Sequence, residues 1–371
     1  MKLNLCAGEL VEVLSKEEDL ATLDENGRYE NVPFMPEMFR YCGQRLRVYK
    51  RAHKTCDFVT NTGIRSLNDT VHLEGNRCDG SGHGGCQARC MIFWKETWLK
   101  RVPEPSHPDV PRATSAARST TSTGCSEHAV FHACSSMEPG ASEPTYSCQA
   151  TLLPKFTEPL SAWKIGPYVE DYKSGNAKSF RRMLPSFIYR GYDDLINLGI
   201  GWGPILRWLY DRFQRLHKGG PYPARSGRIR SGSTTPTANI GLQPGDLVRV
   251  KSYEEILKTL DTNTKNRGMA FSAEMVPYCG KVLRVLSRIT RIINEKTGEM
   301  LHFKNPCVIL EGSICQARYN KSMIFCPRAT YAYWREIWLE RVTEPIAETL
   351  TEDSAAMCER ANEGVPSECV P

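Results

Sequence analysis

Residues Cys78 to Cys90 read CDGSGHGGCQARC, three cysteines and a histidine within thirteen residues. Thiolate sulfur and imidazole nitrogen are the ligands of a tetrahedral zinc site. The four glycines between Cys78 and Cys86 let the backbone bend and aim sulfurs inward. Cys78, Cys86 and Cys90 are therefore candidate metal ligands, and His83 is an alternative nitrogen ligand. Their spacing does not follow the paired C-x-x-C knuckle, so other readings stay open. Ligation by four cysteines also permits an iron–sulfur cluster or iron, and free cysteine is often simply a small buried apolar group. A disulfide is disfavoured, because nothing in the sequence points to export. Structural zinc is the preferred cofactor.

The elements that must position these residues occur twice. With a shift of 237 residues, GELVEVLSKEEDLATLD (Gly8 to Asp24) falls on GDLVRVKSYEEILKTLD (Gly245 to Asp261). FMPEMFRYCGQRLRV (Phe34 to Val48) falls on FSAEMVPYCGKVLRV (Phe271 to Val285), and VHLEGNRC (Val71 to Cys78) on VILEGSIC (Val308 to Cys315). Three extra residues then enter the second copy before FWKETWLKRV (Phe93 to Val102) meets YWREIWLERV (Tyr333 to Val342). A register held this long marks two domains of one fold.

The duplication extends the ligand set. Cys42 corresponds to Cys279, Cys78 to Cys315 and Cys86 to Cys326. The fourth position differs: the first copy has Cys90 where the second has Thr330, and the second has Cys307 where the first has Thr70. The expected metal sites are thus Cys42, Cys78, Cys86 and Cys90 in the first copy and Cys279, Cys307, Cys315 and Cys326 in the second.

Within each copy a Gly-led apolar–polar alternation such as GDLVRV predicts a half-buried strand. SYEEILKTLD opens on a capping serine and places Ile256, Leu257 and Leu260 at helical spacing. Further strands are predicted at KVLRVLSRITRII, CVILEG and REIWLERV, with NEKTGE (Asn294 to Glu299) as a hairpin turn. The tryptophans of each copy, Trp94 with Trp98 and Trp334 with Trp338, are four apart on an expected strand and read as core or groove lining. The fold class is β-rich α+β: two small β-barrels, each with a short inserted helix. The Gly-Asp-x-Val-x-Val opening and the Tyr-Cys-Gly step before a strand resemble SH3-like barrels. The order Tyr-Cys-Gly, Leu-Glu-Gly-x-x-Cys, Trp-x-x-x-Trp-Leu resembles a group of uncharacterised bacterial proteins, which implies a shared architecture and no particular activity.

The expected organisation is a first Cys-containing barrel repeat at 1–102 and a disordered Ser/Thr/Pro linker at 103–147. A central helical segment at 148–219 and a second linker at 220–240 follow. The second barrel repeat occupies 241–343 and a flexible acidic tail 344–371. In PILRWLYDRFQRLHKGG, Ile205, Trp208, Leu209, Phe213 and Leu216 share one face, with Arg207, Asp211 and Arg215 on another. Packing of this helix on a neighbouring barrel is preferred over an interfacial role.

Other patterns carry less. GSGHGG (Gly80 to Gly85) matches G-x-G-x-x-G without the βαβ unit that a dinucleotide site needs. Glu37 and Glu274, before the Tyr-Cys-Gly step, and Glu74 and Glu311 recur in both copies, and a structural role is favoured for them over acid–base work. No run of apolar residues is long enough to span a membrane. The N-terminal stretch lacks the apolar region of a signal peptide, so a cytoplasmic protein is expected, with a peripheral membrane contact as an option. The net charge of +6 is modest, yet Lys155 to Ser231 holds 14 Lys/Arg against 6 Asp/Glu. Weak contact of residues 178–218 with an anionic membrane surface is one expected partnership; nucleic acid is not expected. The favoured function is a non-enzymatic, metal-stapled tandem-domain protein that binds or scaffolds another protein. The alternatives are a metalloenzyme or redox protein centred on the first repeat, and a membrane-surface or nucleic-acid adaptor.

Overall fold

The computed structural model describes residues 2–103, 124–137, 139–161, 163–198, 201–217, 219–320 and 323–342. The described chain is mixed α+β, built from small antiparallel sheets and short helices. It packs as two units. Of the described residues, one draws on those within 2–184, 291–301 and 323–330, and the other on those within 185–290, 302–320 and 331–342.

In the first copy the alternation of Leu10–Val13 buries Val11 and Val13 and leaves their neighbours partly open. This strand lies fourth in a five-stranded sheet ordered Trp94–Lys95, Thr70–Leu73, Arg45–Arg51, Leu10–Val13, Leu99–Arg101. Helix α1 (Lys16–Thr22) begins at a capping box, in which the Ser15 hydroxyl accepts from the Glu18 N–H and the Glu18 carboxylate accepts from the Ser15 N–H. A 3₁₀ helix, Pro36–Tyr41, buries Pro36, Glu37 and Met38, with Met38 in the first core. Phe34 meets Trp94 and Trp98 edge-on, with ring centroids 6.3 and 5.2 Å apart, and the Trp98 indole N–H donates to Thr22 Oγ1 at 3.0 Å.

The second copy repeats this construction. Its sheet runs Tyr331–Arg335, Met300–Ile314, Val282–Ile293, Leu247–Val250, Leu339–Arg341. Leu10 opposes Arg47 in the first sheet and Leu247 opposes Arg284 in the second. Phe271 meets Trp334 and Trp338 edge-on, and Trp338 donates to Thr259. Glu96 and Glu336, both buried, accept backbone N–H groups from the incoming chain at Leu3–Leu5 and at Ile240–Gly241, and each pairs with an arginine, Arg51 or Arg288. A buried carboxylate persists only when such donors surround it.

Two expectations change. Trp98 and Trp338 are not on strands; each ends a three-residue 3₁₀ turn, Glu96–Trp98 or Glu336–Trp338. That turn carries the chain from one edge of the sheet to the other. Three residues span at most about 10 Å, so each sheet is rolled with its edges near one another. Among the described residues the edge strands do not pair, and the closure of a barrel is not made.

The segment read as a Ser/Thr/Pro linker lies outside the described residues over 104–123. Beyond it, α2 (Glu127–His132) and the paired strands Ser135–Ser136 and Thr145–Tyr146 bury Cys125, Val130 and Cys134. The tail from 343 on also lies outside the described residues. The central segment is helical, as α3 (Gly166–Lys173), α4 (Phe180–Ile196) and α5 (Gly203–Leu216). No helix among the described residues is long and apolar enough to cross a membrane.

Candidate metal centre

The strand Thr70–Leu73 leads into the Gly-rich loop, whose ends are tied together by the Cys78 N–H donating to the Cys90 carbonyl at 2.9 Å. Between them the chain folds back on itself, with the His83 and Gly85 N–H groups both donating to the Gly80 carbonyl. Gly80 has φ +78°, and a Cβ there would stand 2.1 Å from the Cys86 carbonyl oxygen. At Gly82 a Cβ would stand 2.8 Å from the Pro36 ring and 3.0 Å from Glu37 Oε2. These two glycines let the loop lie directly against the 3₁₀ helix Pro36–Tyr41, and so bring His83 over Glu37.

The result is a buried triad. His83 Nε2 lies 3.3 Å from Cys78 Sγ, and His83 Nδ1 lies 4.0 Å from Glu37 Oε1. One donor atom from each of Glu37, Cys78 and His83 falls within 4.8 Å of the other two. Donors around a tetrahedral zinc ion, at bond lengths of about 2.0–2.3 Å, stand roughly 3.3–3.7 Å apart, so side-chain shifts that turn one ring nitrogen of His83 to both partners would be needed to bring all three onto one ion. Glu37 is 4 % exposed and His83 2 %. Both carboxylate oxygens of Glu37 and the Nδ1 of His83 have no hydrogen-bond partner. Unpaired polar atoms of this kind cost about 1–3 kcal/mol each, and an ion held by the Glu37 carboxylate and one ring nitrogen of His83 would relieve part of that cost.

The triad opens on a cavity of about 40 Å³ that Cys86, Cys90 and Cys148 also line. Arg328, which pairs with Glu295 at 2.7 Å, stands at its wall. Burial pushes every thiol here toward the protonated form. Cys78 rises well above the usual thiol range through burial and then the charge of Glu37, while burial takes Cys90 to about 11 and Cys148 to about 12. Burial likewise lowers the His83 pKa, against the pull of Glu37 and Asp79. Neutral imidazole is the form that ligates. The thiols would give up their protons to a bound cation, since metal binding displaces them.

Of the residues selected by spacing, the fold brings Cys78, His83, Cys86 and Cys90 to one cavity. Cys42 is not among its lining residues; its thiol donates to Asp19 Oδ2 at 3.6 Å, beside α1. Among the described residues the second copy gathers no comparable group. Cys279 packs on the second core, Cys307 is buried in the strand Met300–Ile314 with its thiol toward the Asn305 carbonyl, and Cys315 is partly buried. Cys326 accepts the Cys56 N–H at 3.1 Å. Burial acts to raise its pKa, but hydrogen bonds from Cys56 and Arg328 outweigh it and lower the pKa.

Spacing alone does not include Glu37 and Cys148. Glu37 carried one signal, its recurrence as Glu274 before the Tyr-Cys-Gly step. Cys148 carried none, because it reaches the cavity from a segment outside the repeat. Comparison of the chain with protein-family models, with curated proteins and with solved structures finds no match.

Proposed function

We propose that this chain is a metal-binding protein that holds a single zinc ion in its first repeat, through Glu37, Cys78 and His83 with Cys90 as the fourth ligand. The mixed nitrogen, oxygen and sulfur set suits zinc better than calcium or magnesium, which take oxygen ligands, or an iron–sulfur cluster, which takes cysteines. The metal staples the Gly-rich loop to the 3₁₀ helix. In this reading each rolled sheet is an open, SH3-like unit, and the pair forms a non-enzymatic scaffold that engages another protein.

One observation carries the reading: the two copies treat the same carboxylate differently. Glu274 accepts the Tyr319 N–H at 2.6 Å, and further N–H groups of residues 316–320 face it. Glu37, at the same place in the first copy, is met by no backbone N–H among the described residues and stands against His83 and Cys78. Elemental analysis of the full-length protein after zinc loading and desalting tests this. One zinc per chain, lost in His83→Ala and kept in Cys315→Ser, supports the reading. Zinc-free wild-type protein, or two ions per chain, contradicts it. A metalloenzyme reading has one specific support, that three ligands leave a fourth position open. Loss of zinc in Cys90→Ser would close that position with sulfur; retention would leave it to water.

A further inference from the structure

The helix α5 is turned opposite to the expectation from its pattern. Ile205, Trp208, Leu209 and Phe213, the face that should be buried, are 47–61 % exposed, and no residue of α5 is buried. Its other side meets the protein. Tyr192 donates to the Leu206 carbonyl at 2.6 Å, and Tyr210 packs edge-on against Tyr222, with ring centroids 5.5 Å apart. Asp211 accepts the Tyr222 N–H at 2.7 Å and pairs with Arg225. Fold contacts therefore hold the side of this helix that carries Leu206, Tyr210 and Asp211 and leave the face of Ile205, Trp208, Leu209 and Phe213 outward. On α4, Ile188 and Leu195 are exposed in the same way.

We propose that the outward face of α5 docks on an anionic lipid surface. Charge complementarity selects this occupant. Asp211 is the one acidic residue in GPILRWLYDRFQRL, and it is held on the inward side by Arg225. Arg212 lies within the apolar face, its guanidinium 6.0 Å from the Trp208 ring centroid, and Arg215 flanks it; both are exposed. Apolar and aromatic side chains that insert to headgroup depth, ringed by arginines that reach phosphates, define an interfacial helix. A second copy of α5 would instead bring its arginines against those of the first, since Asp211, the one carboxylate of the helix, is engaged by Arg225.

Co-sedimentation of the full-length protein with phosphatidylcholine vesicles containing phosphatidylserine, at physiological salt, tests the proposal. Binding to these vesicles and not to pure phosphatidylcholine is expected. Arg212→Gln should weaken it about fivefold, the weight of one cation at such a surface, and Trp208→Glu should abolish it. Because Trp208 is 60 % exposed, its variant should keep the wild-type circular dichroism spectrum and melting transition. Equal binding to neutral and anionic vesicles would overturn the proposal, as would absence of binding. A dimer in light scattering that Trp208→Glu converts to monomer would assign the face to a second copy and also overturn it.

Discussion

Glu37 and Glu274 occupy one position in two copies of a fold, and both are buried, yet only Glu274 is met by backbone N–H groups. Removing each should have different consequences. Glu274→Gln should cost about 1–3 kcal/mol, because a neutral amide cannot accept as strongly and brings its own buried donors. Without metal, Glu37→Gln should be close to neutral or stabilising; with zinc present it should lose the metal-dependent gain. Urea denaturation with zinc and with a chelator separates the two. Equal costs for both substitutions in chelator would show that Glu37 has protein partners after all.

Cys90 and Cys307 are the two positions at which the copies exchange cysteine for threonine. Cys90 lines the cavity beside Cys78, whereas the Cys307 thiol lies toward the Asn305 carbonyl. Cys90→Ser should therefore lower zinc affinity by at least about tenfold, and Cys307→Ser should leave it unchanged. Competition against a chromophoric chelator measures both; a loss on Cys307→Ser would restore a second metal site.

Asp19 lies where the second copy has Ile256, and both are fully buried. Burial raises the Asp19 pKa from 3.8 to about 7, while the Cys42 thiol bond opposes the rise. The group's folded pKa is above its unfolded one, so its favourable contribution is complete below pH 3.8 and is lost as pH rises through about 7. The difference amounts to about 4 kcal/mol. Asp19→Ile should accordingly stabilise the protein more at pH 8 than at pH 4. A pH-independent difference in unfolding free energy would contradict the assignment.

Lys54 and Asp171 form an ion pair in which both side chains are fully buried, with His53 Nε2 at 3.4 Å from the carboxylate and the Tyr168 ring centroid 4.5 Å from the ammonium. Asp171→Ala leaves a charge without its partner and should cost about 3–5 kcal/mol. The double change Lys54→Met with Asp171→Leu should recover most of that loss. A double variant as unstable as the single one would mean that the pair does more than neutralise charge.

Much of the frame was legible in the sequence. The repeat register, an offset of 237 residues that becomes 240 after the three-residue insertion, places Leu10 and Leu247, Thr22 and Thr259, and Glu96 and Glu336 in equivalent surroundings, because period-two alternation and a capping serine are local signals. The roll of each sheet through Glu96–Trp98 was not legible, since residues four apart share a face on a strand and also fit a strand that ends in a 3₁₀ turn. Cys78, His83, Cys86 and Cys90 share a loop and could be grouped by eye. Glu37 and Cys148 come from distant segments, which spacing cannot join. The orientation of α5 illustrates a further limit: periodicity finds an amphipathic face but does not say which side the protein will cover. Here the covered side carries Leu206 and Tyr210 on an aromatic cluster, with Asp211 bound to Arg225 and the Tyr222 N–H.

X-ray absorption at the zinc edge of the singly loaded, full-length protein tests the metal centre most directly. A mixed shell is predicted, with sulfur from Cys78 and Cys90 at about 2.3 Å and lighter atoms from His83 and Glu37 at about 2.0–2.2 Å. Imidazole scattering should vanish in His83→Ala. A shell of four sulfurs, unchanged in that variant, would contradict the Glu37–Cys78–His83 site.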